Sequence, residues 1–286
     1  MCDESDFASM RKAGLNRRQF GAAGAMAMLT ACTAMGDSAQ GGLAEDMVDI
    51  STPDGTIDAF FVRPASGSHP AVLFWPDGLG MRDAIKMMAR RLAAAGYAVL
   101  VPNPFYRASP APQFADYAAF ESENGMEQLG RWREPLTAEA MMRDARLLIA
   151  WLDGQDAVAR DRGIGTQGYC MGGAFAVWTA AAVPARVRAV ASFHGGGLVG
   201  DEPTAPVNML GDGEAAVLIA IARNDDARAP DEKGRLRDAA QAAGVEAEIE
   251  VYDGDHGWTV YDFPIYAEAE ADRAWGRLLA LYERRL

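Results

Sequence analysis

Only three cysteines and three histidines occur in the 286 residues of this chain. Cys2 and Cys32 lie near the amino terminus, and Cys170 stands alone in the body of the sequence. That scarcity leaves no disulfide framework for a chain processed at its amino terminus. It also leaves no cluster of His, Cys and Glu at ligand spacing, so neither a metal nor an organic cofactor is expected. Basic residues are in the minority, with 27 Lys and Arg against 40 Asp and Glu and a formal net charge of -13. An acidic chain repels nucleic acid and anionic headgroups, which excludes nucleic acid as an expected partner. Internal repeats and low-complexity tracts are absent as well.

Half of the residues are hydrophobic, enough for one substantial core in a single domain. Residues 1–31 have the character of an export signal. A twin-arginine pair, Arg17-Arg18, is followed by Phe20 and by a Gly/Ala-rich apolar stretch too short to span a bilayer. Leu29-Thr30-Ala31-Cys32 matches a lipobox, with Cys32 as the lipidated first residue of the mature chain. Residues 32–46 are small and polar and are expected to be a tether, with the folded domain at 47–286. The protein is then exported to the periplasmic or cell-envelope side, with membrane contact only through that lipid. Oligomeric state is not legible.

Strand-like runs occur at 47–50, 57–62, 71–75, 97–101, 163–169, 187–193, 216–222 and 247–252. Helix-like runs occur at 81–95, 138–153, 171–182, 231–243 and 266–285. In the second of these, Met142, Ala145, Leu148, Ile149 and Leu152 fall at helical spacing and would bury one face. An early hairpin followed by alternating strands and helices predicts an α/β fold, with a mostly parallel central sheet flanked by helices on both faces. Reacting groups in such folds gather beyond the carboxyl ends of the strands.

Gly168-Tyr169-Cys170-Met171-Gly172-Gly173 lies at one such end, between a strand-like and a helix-like run. It has the G-x-C-x-G form of a nucleophile elbow, with cysteine at the nucleophile position. The elbow would present the sulfur at a helix N-terminus, where the local field favours thiolate. A thiol nucleophile needs a base. His69 lies at the wrong end of the sheet. His194 begins an H-G-G-G turn after the nucleophile and is expected to line the pocket wall. His256, in Gly254-Asp255-His256-Gly257-Trp258 past the last strand, is the expected base. Its acid partner should follow the seventh strand, in Arg223-Asn224-Asp225-Asp226. Asp225 is preferred and Asp226 is the alternative. In Trp75-Pro76-Asp77-Gly78-Leu79-Gly80, the Gly78 amide can pair with that of Met171 as an oxyanion hole, with Asp77 aimed at the same space.

These motifs together resemble the dienelactone hydrolase family, over about residues 48–281. The resemblance rests on G-Y-C-M-G-G at Cys170, D-H-G-W at His256, the Asp225 turn and P-D-G-L-G at Asp77. It implies the α/β-hydrolase fold and a carboxylic-ester hydrolase of the carboxymethylenebutenolidase type. It implies that Asp77 helps to form the thiolate, and that Arg107 in Pro102-Asn103-Pro104-Phe105-Tyr106-Arg107 holds a substrate carboxylate. Tyr106 and Trp258, in the same motifs, are assigned to the substrate pocket. One departure stands out: Trp258-Thr259-Val260-Tyr261-Asp262 lacks the second carboxylate-binding arginine of the founding enzymes. Loop residues 108–135, with Phe114, Tyr117, Phe120 and Trp132, are long enough to reshape the pocket. The expected partner is a small ester or lactone, carboxylate-bearing if Arg107 acts as in the family. The alternative is a non-catalytic, lipid-tethered binding protein on a hydrolase scaffold.

Overall fold

Eight apolar runs become eight strands of one sheet in the computed structural model, which describes residues 42–286. The strands are β1 (Leu43–Thr52), β2 (Gly55–Pro64), β3 (Ala71–Trp75), β4 (Ala98–Pro102), β5 (Ile164–Tyr169), β6 (Val187–Phe193), β7 (Ala216–Ala222) and β8 (Ala247–Tyr252). Their order is β1-β2-β4-β3-β5-β6-β7-β8. β1 and β2 form a hairpin, β2 meets β4 antiparallel, and every later pairing is parallel. β3, β4 and β5 are buried along their whole lengths, as strands covered on both faces must be. Strand order reverses between β3 and β5, and this switch point opens a crevice at the carboxyl ends.

The helices are α1 (Asp83–Ala94), α2 (Tyr117–Ser122), α3 (Gly125–Arg133), α4 (Ala138–Asp153), α5 (Gly172–Ala182), α6 (Arg223–Arg228), α7 (Glu232–Ala243) and α8 (Glu268–Arg285). Thr137 caps α4, its hydroxyl accepting the Ala140 amide. The buried stripe of α4 is Met141, Ala145, Leu148, Ile149 and Leu152. Met141 takes the place expected for Met142, because a 3.6-residue repeat lets either of two adjacent residues face the core. Among the described residues no helix is long and apolar enough to cross a membrane.

The structure corrects two expected segments. Residues 43–46, assigned to a tether, are part of β1 and pair with residues 61–64 of β2. Asp46 is held by Arg63, and Glu45 by both donors of Arg90. A polar run gains order here from ladder bonds and ion pairs. The rest of the tether, and the export signal with Cys32, lie outside the described residues. The expected loop at 108–135 contains α2 and α3, folded over an aromatic cluster. Phe114 packs edge-on against Phe120 at 5.2 Å and lies 5.5 Å from Trp132, and Tyr117 meets Phe263 at 5.5 Å.

Candidate active site

Cys170 follows β5 with φ of 54°, a left-handed conformation that costs a non-glycine residue roughly 1–3 kcal/mol and marks functional turns. Two glycines make the turn possible. A Cβ on Gly168 would sit 1.8 Å from the carbonyl oxygen of Gly172, and one on Gly172 would sit 2.6 Å from that of Pro76. The elbow is therefore closed against its own helix and against the loop after β3. α5 begins at Gly172, so its N-terminal field acts on the sulfur side of the turn.

The residue is 1% exposed. It is the sole cysteine among the described residues. The sulfur expected to be exposed at the elbow is buried.

His256 lies past β8 and is buried. Its Nδ1 is 2.7 Å from Asp225 Oδ2. A carboxylate accepts there, so Nδ1 carries the proton and Nε2 is the basic nitrogen. The histidine loop is fixed from the same side: the His256 amide donates to Asn224 Oδ1 at 2.8 Å, and the Arg223 amide donates to the Gly254 carbonyl. The two candidate acids separate cleanly. Asp225 takes His256 and, through its other oxygen, Arg228 at 2.9 Å. Asp226 takes Lys233 at 2.6 Å.

β3 and β5 are neighbours, with Trp75 opposite Gly168. Gly78 and Met171 each lie three residues beyond that pair, after neighbouring strands of the sheet. Neither amide donates to an acceptor among the described residues, as an oxyanion hole requires. Leu129 of α3 closes over Gly78: a Cβ there would meet its side chain at 3.1 Å.

Two residues outside the expected set hold this arrangement. His194, with φ of 39°, accepts the Cys170 amide at Nδ1 (3.1 Å), and its Nε2 lies 3.1 Å from the Thr259 hydroxyl. Its ring is 4.9 Å from that of His256. Burial, with His256 adding to it, pushes the His194 imidazole well below its ordinary value, so the ring stays neutral and can accept at Nδ1. It braces the elbow instead of lining the pocket. Arg82 is fully buried between two carboxylates. It donates to Asp77 Oδ1 and Oδ2 at 2.8 and 3.0 Å, and to Asp262 Oδ2 and Oδ1 at 2.7 and 2.8 Å. Burial works against its charge, and the two carboxylates more than restore it. Arg82 thus ties the loop after β3 to the end of the histidine loop. The sequence signal was faint, because an arginine at a helix start usually faces solvent and Asp262 is 180 positions away.

Four other expected site residues have partners within the chain. Both oxygens of Asp77 are engaged, by Arg82 and by the Leu79 amide at 2.8 Å, so the carboxylate anchors its loop. Burial is the main influence pushing its carboxyl up. Arg107 spends its fork on Asp144 (2.8 Å twice) and its Nε on Asp54 (2.9 Å), so its donors are engaged within the chain. Tyr106 donates to the same Asp144 at 3.0 Å. Trp258 is fully buried, stacked on Tyr252 at 5.5 Å and edge-on to His194 at 5.3 Å, where it supports the histidine loop from behind.

Beside the elbow lies a cavity of about 340 Å³ lined by Met171, Phe175 and Trp178 among others. Among the described residues no group of three or more His, Cys, Asp or Glu could hold a metal ion.

Comparison with known proteins places this geometry among relatives. A sequence model described as "Dienelactone hydrolase family" matches residues 57–286. A protein of Salmonella typhi named "Putative carboxymethylenebutenolidase" is 28% identical over 251 residues, covering 80% of this chain and 88% of its own. One of the same name from Methylorubrum extorquens is 28% identical over 243 residues, covering 83% and 80%. A crystal structure titled "Putative Dienelactone Hydrolase", from Klebsiella pneumoniae, superimposes with a TM-score of 0.70 at 24% identity, over 85% of this chain and 99% of that one. It shares the fold.

Proposed function

The chain belongs to the dienelactone hydrolase family, and on that premise we propose that it cleaves activated esters or enol lactones through a Cys170-His256-Asp225 triad and a thioester acyl-enzyme. The observation that carries this reading is the 2.7 Å bond from His256 to Asp225, at the same sheet end as the left-handed Cys170.

In the reduced enzyme the Cys170 thiolate attacks the ester carbonyl. The Gly78 and Met171 amides receive the developing oxyanion. The carbon–oxygen bond breaks, the alcohol takes a proton from imidazolium His256, and a thioester remains. Neutral His256 then removes a proton from water, which attacks the thioester. The acid leaves and the thiolate–imidazolium pair is restored. Asp225 holds the tautomer and offsets the imidazolium charge throughout. Thiolate is itself a good leaving group, so collapse back to substrate competes unless the alcohol leaves readily. Enol lactones and aryl esters meet that condition, and plain alkyl esters meet it poorly.

The test is turnover of p-nitrophenyl esters and of cis- and trans-dienelactone by reduced wild type and Cys170→Ala. Loss of turnover in the variant is expected. Equal rates would remove the hydrolase mechanism, and ligand binding that survives unchanged without turnover in either form would favour a tethered binding protein. Export and lipid attachment at Cys32 also belong to this proposal, supported by Arg17-Arg18 and the Leu29–Cys32 motif. Cys32→Ala should shift the protein from the membrane fraction to the soluble fraction; an unchanged distribution would contradict the anchor.

A further inference from the structure

The cavity beside the elbow is built by the nucleophile's own helix. Phe175 and Trp178 of α5 stack at 5.7 Å with their rings 22° apart. The Trp178 indole N–H is already spent on the Thr204 carbonyl at 2.8 Å, so this pair turns apolar surface to the space. Met171, Leu136, Val199 and Pro206 complete most of the lining. Two charges also line it, Arg133 and Glu202, and they are opposite in sign. The volume, about 340 Å³, equals the share of roughly ten liquid waters, which suits an alkyl chain or a ring system.

Position decides which half of a substrate lies there. In the acyl-enzyme the carbonyl carbon is bonded to Cys170, with its oxygen at the Met171 amide, so the acyl substituent runs past Met171. The departing alcohol must lie toward His256, which protonates it. The cavity includes Met171 and no residue of the 254–262 histidine loop. The Gly196 amide, also part of the lining, donates to the Cys170 carbonyl at 3.2 Å, which ties the lining to the elbow.

We infer that this cavity is the acyl pocket and that the preferred substrates are uncharged esters or lactones with an extended apolar acyl group, in place of carboxylate-bearing ones. The inference rests on the hydrolase reading above. It accords with the engagement of Arg107 by Asp144 and Asp54. Burying methylenes in such a lining raises transition-state affinity through the hydrophobic effect.

The experiment is a p-nitrophenyl ester series with acyl chains from acetyl to hexanoyl, assayed with reduced wild type, Cys170→Ala and Val199→Trp. A terminally carboxylated acyl ester serves as the charged comparator. In wild type kcat/KM should rise about fourfold per methylene, and the carboxylated ester should fall at least tenfold below its uncharged counterpart. Val199→Trp, which fills the cavity, should lower the hexanoyl-to-acetyl ratio. A flat wild-type series, or a carboxylated ester hydrolysed as well as the neutral one, overturns the acyl-pocket inference even if Val199→Trp does not fold. Rates that are the same in Cys170→Ala overturn the hydrolase reading instead, so the two failures are distinguishable.

Discussion

His256→Asn is expected to lower kcat/KM for activated esters by about 10²–10⁴-fold, the usual contribution of a positioned general acid–base group. The histidine is asked for two proton transfers in one cycle, and its ring has one orientation because Asp225 fixes Nδ1. Asp225→Asn should act in the same direction, since an amide can donate to Nδ1 and select the wrong tautomer. The double variant should be little worse than the worse single one, because members of a catalytic unit are not additive. Asp226→Asn is the control. Its carboxylate serves Lys233, a partly exposed pair of small value, and its rate should stay near wild type. Steady-state kinetics on the four variants check this, and a strong effect confined to Asp226 would reassign the acid.

Arg82→Met is expected to destabilise the fold by about 3–5 kcal/mol, the range for removing one partner of a buried ion cluster. The loss has a clear cause. Buried Asp77 and half-buried Asp262 would lose four charge-assisted hydrogen bonds. For a domain of this size such a loss corresponds to a fall of about 6–20 °C in Tm. Arg82→Lys should recover only part of it, because one ammonium cannot serve two carboxylates with paired donors. Thermal or urea unfolding of the two variants is the check. A shift below about 1 kcal/mol would mean that the cluster contributes little beyond its own desolvation.

The fold was legible because its strands are apolar runs bounded by polar turns. β3, β5 and β7 announce themselves as Ala71–Trp75, Ile164–Tyr169 and Ala216–Ala222, all buried in the parallel part of the sheet. β1 was cut short because Glu45 and Asp46 are poor strand formers locally, and partners on β2 and α1 decide their state. α2 and α3 escaped notice because each is short and its aromatic packing is tertiary. In the site, glycine spacing and strand ends pointed to Cys170, His256 and the Asp225–Asp226 pair, and the structure sets His256 against Asp225. The residues around them were not legible in the same way. Arg107 has the chemistry of a carboxylate clamp, but a buried aspartate on α4 takes its guanidinium. His194 sits in a Gly-rich turn that resembles a pocket wall, and only the register of β5 against β6 sets its ring beneath the Cys170 amide. Ion-pair partners 37 or 180 residues apart leave no periodic trace in a sequence.

The most direct measurement is the mass of the reduced enzyme quenched during turnover of a p-nitrophenyl ester. The account predicts a gain equal to one acyl group, labile to hydroxylamine, on the peptide containing Cys170, and more of it in His256→Asn if deacylation is slowed more than acylation. Turnover with no acyl group on Cys170, or with the acyl group on another residue, would contradict it.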